Sequence, residues 1–288
     1  MLPIYGIVLA ITSGFLYGIR NILIKKITNK GFTPTEVNMI YNVFGLMVMS
    51  VLIFVVQEKV IINIINYPMV IGLGAIIGLI ALISGNLQNN IFHSLPYSYA
   101  TPFYSMMPII ETVFAFIIIG ERISAFGFLG IIIISIGAIH LNLSGNKTER
   151  ISLKQTFPII INLILFSILS VFQKKEVLLT GSLITIWVMY AFICIWGIRS
   201  FPQLVKKKDL LLNNYKPIGT YMICAVLALF TSLSAYQYLP VGVISALRNV
   251  TVPVIVLIGS IIFGEGNLKS RLIGSGVIVS GAIVMGFR

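Results

Sequence analysis

Apolar runs of about twenty residues recur along the whole chain, separated by short polar clusters. A helix that crosses a hydrocarbon core ~30 Å thick needs about 20 such residues. The pattern predicts ten spans, at about 3–24, 35–56, 69–92, 97–119, 125–143, 156–173, 182–201, 217–238, 241–263 and 269–287. Runs such as Ile117-Ile118-Ile119 and Ile131 to Ile134 do not alternate with polar residues. The strands of an outer-membrane barrel would alternate, so the prediction is all-helical. Lys25-Lys26 ends the first span, Gln57-Glu58-Lys59 the second and Lys174-Lys175-Glu176 the sixth. Lys206-Lys207-Lys208 follows the seventh. The third span is polar in its second half, with Asn86, Gln88, Asn89, Asn90 and His93.

A second pattern lies on top of the first. The stretch Leu95 to Ile139 occurs twice, and adding 144 carries Leu95-Pro96 onto Leu239-Pro240 and Gly120-Glu121 onto Gly264-Glu265. The same offset carries Gly130, Gly137, Ala138 and Ile139 onto Gly274, Gly281, Ala282 and Ile283. Pro108 finds Pro253 one residue out of register. Earlier, Lys25-Lys26 and Tyr41 match Lys174-Lys175 and Tyr190 at an offset of 149. Ser144 to Lys154 is the longest polar stretch near mid-chain. The chain therefore divides into a five-helix repeat over 1–145, a polar linker over 146–154 and a second five-helix repeat over 155–288. Five is odd, so the second repeat enters the membrane from the opposite side. The expected fold is an all-α integral membrane protein, ten transmembrane helices in two inverted five-helix repeats. In secondary transporters such repeats place the site near the midplane between them.

Composition agrees. The 288 residues are 58% hydrophobic and 10% charged, against roughly 25% charged in soluble domains. The net charge of +12 is spread over short loops, where topology signals and anionic lipid explain it. No basic domain exists to carry nucleic acid. With both termini cytoplasmic, five basic residues face the cytoplasm and thirteen face outward. By charge alone the termini belong outside. Cys194 and Cys224 sit in apolar runs and read as buried thiols. No cleavable signal is evident at the start of the chain, because a basic cluster follows the first apolar segment rather than preceding it.

Two ionisable residues lie deep in spans, Glu111 and Arg248. Glu111 is ~21 Å into the core from Tyr97, and Arg248 ~11 Å from the opposite face at 1.5 Å per residue. In a ~30 Å core the two heights nearly coincide. Intramembrane charges usually face a bundle interior or a water-filled cavity. One reading makes them a polar centre, with Glu111 exchanging a coupling proton and Arg248 holding a substrate carboxylate. The other makes them a structural ion pair, or Arg248 a snorkelling side chain. Arg20 reads as snorkelling to the nearby interface, while Asn21 beside it is a candidate for the cavity. Asn86, Asn89, Asn90 and His93 follow i, i+3, i+4, i+7 spacing and share a helix face. That stripe must meet protein or water. Its counterpart in the eighth span includes Tyr236 and Gln237. His93 aligns with Gln237, and a lone histidine is not a metal site.

Tyr104 aligns with Arg248 and is a candidate wall of the site, with Met106 and Met107. Pro108 and Pro253 lie inside their predicted spans, where proline kinks a helix. Matching breaks in two halves point to a binding or gating region. The glycines Gly130, Gly137, Gly274, Gly276 and Gly281 are expected to let the fifth and tenth spans pack closely. No catalytic triad, paired carboxylates, phosphate loop or metal cluster appears, so neither enzyme chemistry nor a cofactor is implied.

Ten spans in two halves, each closing with Pro, Gly-Glu and a glycine-rich last helix, resemble the EamA-type transporters of the drug/metabolite superfamily. The residues that carry the resemblance are Pro108, Gly120, Glu121, Gly130 and Gly137, with Pro253, Gly264, Glu265, Gly274 and Gly281. The resemblance implies export or exchange of a small metabolite, such as an amino acid, across the cell membrane. It implies a central cavity lined by spans 1, 3 and 4 with spans 6, 8 and 9, and it implies cytoplasmic termini. The expected partners are a small-molecule substrate, the bilayer, and protons or another coupling ion. The alternative is a flippase for lipid or lipid-linked cargo. An intramembrane enzyme or a receptor is a third class, disfavoured by the lack of catalytic groups and of a ligand domain.

Overall fold

The computed structural model describes residues 3–56, 68–95, 100, 103–143, 153–251 and 268–286. Among them the secondary structure is helical throughout. The helices are α1 (Ile4–Thr28), α2 (Pro34–Val56), α3 (Pro68–Ser94), α4 (Met107–Ile119), α5 (Ala125–Leu143) and α6 (Leu153–Thr180). Then come α7 (Ser182–Trp196), α8 (Phe201–Lys206), α9 (Lys208–Asn213), α10 (Tyr215–Ala235), α11 (Val241–Asn249) and α12 (Leu268–Gly286). Five are long and apolar enough to cross a membrane: α1, α2, α3, α6 and α10. Helices suit this solvent because each satisfies its own backbone groups. Pro253, Gly264 and Glu265 lie outside the described residues, as does most of the linker.

Three predicted boundaries change. The sixth span does not stop at Lys174; α6 runs on to Thr180. It can do so because Lys174, 6% exposed, is paired inside the protein. The fourth span does not run unbroken from 97. Residues 103 and 104 are helical, 105 and 106 turn, and α4 starts at Met107. Pro108 is thus no mid-helix kink. It occupies the first turn of α4, where its missing N–H has no intrahelical partner to lose. The seventh span is shorter than predicted. After Trp196 come a 3-10 turn and the short helices α8 and α9.

The repeated motifs account for much of the packing. Gly120 ends α4 in a left-handed conformation, φ 65°; its N–H bonds back to the Phe116 carbonyl at 3.1 Å and the Glu121 N–H to that of Ala115 at 3.2 Å. Only glycine takes that conformation without penalty. The turn delivers Glu121 to the second half of the chain. Its Oε1 pairs with Lys174, and its Oε2 accepts the Val241 N–H at 2.9 Å, at the start of α11. Lys174 also donates to the Leu239 carbonyl at 2.7 Å. Glu121 of the first Gly-Glu therefore bonds Val241, just after the second Leu-Pro, and reaches Leu239 through Lys174.

The other end of the bundle has its own ties. Lys207 donates to Glu36 at 2.8 Å and to the Gly31 carbonyl at 2.8 Å. Lys30 donates to Asn214. The loop carrying the lysine run is thereby fastened to the junction of α1 and α2.

α5 and α12 pack through glycine. A Cβ on Gly137 would stand 2.9 Å from the Ile278 amide nitrogen, and one on Gly281 2.8 Å from that of Ile134. The 144-residue offset relates these two contacts to each other. Gly276, predicted with them, faces open space.

Candidate functional site

α1, α3, the start of α4, α6, α10 and α11, with Tyr41 of α2 and Met189 of α7, surround a cavity of about 270 Å³. It lies between the two tied ends. Ligand pockets for drug-sized molecules run ~300–1,000 Å³, so this one has the size for a small metabolite. α1 presents Gly14, Tyr17, Gly18, Arg20 and Asn21. Gly14 brings α1 against α11, since a Cβ there would stand 2.8 Å from the Arg248 carbonyl oxygen. That approach sets the Tyr17 ring 5.8 Å from the Arg248 guanidinium.

Arg20 does not snorkel. It is 5% exposed and lines the cavity. Its guanidinium lies 5.3 Å from the Tyr41 ring centre and 5.9 Å from that of Tyr221. Nη1 donates to the Gln88 amide oxygen at 3.3 Å and, weakly, to Asn21 at 3.4 Å. The long side chain is held inward by aromatic faces and an amide, which replace the water it would otherwise seek.

Arg248, in the last turn of α11, also faces the cavity. Tyr236 sets its hydroxyl beside it. Nε and Nη2 are buried without a hydrogen-bond partner among the described residues. Glu111 is fully buried and within electrostatic reach of Arg248, yet the two form no ion pair. One carboxylate oxygen of Glu111 accepts from Ser170 at 2.7 Å, and Ser245 stands close to the same carboxyl group. The other oxygen has no partner. Ser170 and Ser245 line the cavity, so Glu111 sits just behind its wall.

Tyr104 and Tyr236 line the cavity. The Tyr104 hydroxyl donates to Asn162 of α6 at 2.6 Å, and Asn162 donates to the Ser84 carbonyl at 2.7 Å. Three helices are locked around that ring. The stripe predicted on the third span faces elsewhere. On α3 the cavity row is Ala81, Gly85, Gln88 and Phe92. Asn86 accepts from Asn38 at 2.8 Å, and Asn89 donates to the Pro34 carbonyl at 3.1 Å, so both serve the α2 contact. Asn90, His93 and Gln237 are exposed and away from the cavity. Amides satisfy neighbouring helices as readily as they line a path, which is why spacing alone misplaced them by one helix row.

Sequence reasoning passed over Tyr17, Ser170, Gln173, Ser245 and Asn249, which line the cavity. Tyr17 carried a signal, because it stands one turn before Arg20 on the same face. The serines carried none, since Ser in an apolar helix usually bonds its own backbone.

Turns stand at matching places beside the cavity. The turn at 105–106 precedes α4, and the turn at 250–251 follows α11, an offset of 145. The Arg248 carbonyl accepts the Thr251 N–H at 3.1 Å and its hydroxyl at 2.7 Å.

An apolar bundle of long helices around an internal charged cavity is the form of a multi-pass membrane protein. Residues 4–143, just under half of the chain, match the model of the EamA-like transporter family. That match points to a multi-pass membrane transporter of small solutes. No curated protein matches the sequence. A solved crystal structure at 14% sequence identity superposes with a TM-score of 0.69, over 96% of this chain and 95% of that one. At that identity the likeness concerns the fold.

Proposed function

We propose that this protein is a secondary transporter of the cell membrane. It moves a small metabolite, of the amino-acid or organic-acid kind, by alternating access, in export or exchange. Ten spans would form two inverted five-helix repeats, 1–145 and 155–288, joined by the linker 146–154. The reciprocal contacts Gly137–Ile278 and Gly281–Ile134 support the pseudo-two-fold axis this requires. The observation that carries the reading is the internal cavity holding Arg20 and Arg248 between elements of both halves. Charges in a membrane interior are costly and mark substrate or ion paths.

In this reading Arg248, Tyr104, Tyr236 and Asn21 contact the substrate. Glu111, behind Ser170 and Ser245, takes up and releases a coupling proton. Pro108 opens the helix that gates the site. Asn86 and Asn89 act as positioning residues for α2 and α3. The flippase alternative needs a polar path from α3 toward lipid. Asn86 and Asn89 are instead engaged with α2, which favours a water-soluble cargo.

The test is counterflow of labelled amino acids and organic acids into proteoliposomes. Wild-type protein should exchange one of them. Glu111→Gln and Arg248→Gln should each lower that exchange at least tenfold. Undiminished exchange by both variants would remove the roles assigned here.

A further inference from the structure

The cavity has an asymmetry of charge that points to its cargo. Two guanidinium groups, Arg20 and Arg248, line it, and among the described residues no Asp or Glu does. Among the described residues the ion pairs are Lys174–Glu121 and Lys207–Glu36, both at the bundle ends. Neither arginine is neutralised by a paired carboxylate. Glu111, within electrostatic reach of Arg248, is held by Ser170 behind the wall. An uncompensated buried charge is strongly destabilising, so the pair of cations calls for an anionic ligand.

The two arginines are presented differently. Arg248 leaves Nε and Nη2 without partners. Those two donors share one edge of the guanidinium, and their parallel N–H bonds match the two oxygens of a carboxylate or phosphate. Its remaining side is steadied by Tyr236 and by the Tyr17 face. Arg20 is backed by Tyr41 and Tyr221 and tied to Gln88. Tyr17, one helical turn before Arg20 and under Arg248, lies between the two charges. An ammonium group would find no carboxylate partner among the described residues of these walls.

We infer that the cavity takes a small organic acid with two anionic groups, one at Arg248 in a side-on fork and one at Arg20. This rests on the transport reading and narrows it: a zwitterionic amino acid is the wrong charge type for this site. The anionic groups share one chemistry, carboxylate or phosphate, and the test separates them.

Purified full-length protein in detergent is titrated with succinate, with 3-phosphoglycerate and with leucine, and binding is read by calorimetry. Succinate or 3-phosphoglycerate should bind at least tenfold tighter than leucine. Preference for succinate identifies dicarboxylates, and preference for 3-phosphoglycerate identifies phosphorylated acids. Arg248→Gln and Arg20→Gln should each weaken that binding at least tenfold. Arg248→Lys keeps the charge but loses the fork, so it should fall between wild type and Arg248→Gln. Size-exclusion profiles confirm that each variant is folded. Leucine binding as tight as either acid, or no binding of either acid, overturns the inference. If a neutral or zwitterionic solute still exchanges in proteoliposomes, the transport reading stands and only this assignment falls. If no solute exchanges, the transport reading falls first.

Discussion

Lys174 shows how one side chain can hide a boundary. In the sequence it opens a Lys-Lys-Glu cluster that looks like the end of a span. In the structure it is buried between Glu121 and the Leu239 carbonyl. Breaking a buried ion pair by removing one partner costs about 3–5 kcal/mol. Lys174→Met should therefore lower the melting temperature of the detergent-solubilised protein markedly. Lys175→Met, at an exposed neighbour, should change it little. Equal effects would argue against the pairing. Glu176 behaves oppositely. It is fully buried, with both carboxylate oxygens unpartnered among the described residues. Leaving buried polar atoms unsatisfied costs about 1–3 kcal/mol. Glu176→Met should raise the melting temperature, and a fall would show that the carboxyl group has a partner the geometry does not reveal.

The helices themselves were legible, and their interruptions were not. Apolar runs located α1, α2, α3, α5 and α10 to within a few residues, because burial in lipid demands uniform hydrophobicity. Where the chain turns inside the bundle, at 105–106 and 250–251, protein and cavity surround it, so hydrophobicity does not mark the break. The polar face of α3 was visible as polar, but its destination was not. Hydrogen bonds to Asn38 and Pro34 belong to a neighbouring helix that spacing cannot see. Arg20 was misread for the same reason, since its stabilising rings are on α2 and α10. Glu111 and Arg248 stood out because a charge within an apolar run is conspicuous at any depth.

Glycine contacts give this scale its test. Gly137→Ala and Gly281→Ala should each destabilise by about 1–3 kcal/mol, the cost of overpacking, because the added carbon meets backbone. Gly276→Ala meets nothing and should stabilise by up to ~1 kcal/mol through helix propensity. Thermal unfolding of the three variants checks it. The same sign for all three would contradict the assigned α5–α12 contact.

At the scale of the whole molecule, the duplication found in the sequence becomes a division of labour. Motifs shared by the two copies build contacts: Glu121 bonds Val241 and, through Lys174, Leu239, and Gly137 and Gly281 face reciprocal isoleucines. Positions where the copies differ line the cavity, as with Tyr104 and its counterpart Arg248. A cavity enclosed by both halves can serve either side of a membrane if the halves rock about it. That proposal is the centre of the account, and it can be tested without knowing the substrate. Cys194 and Cys224 are replaced, and a single cysteine is placed at Ala81, on the cavity wall. Right-side-out and inside-out vesicles are then treated with a membrane-impermeant thiol reagent. Alternating access predicts labelling in both preparations; labelling from one side only, or from neither, would contradict it.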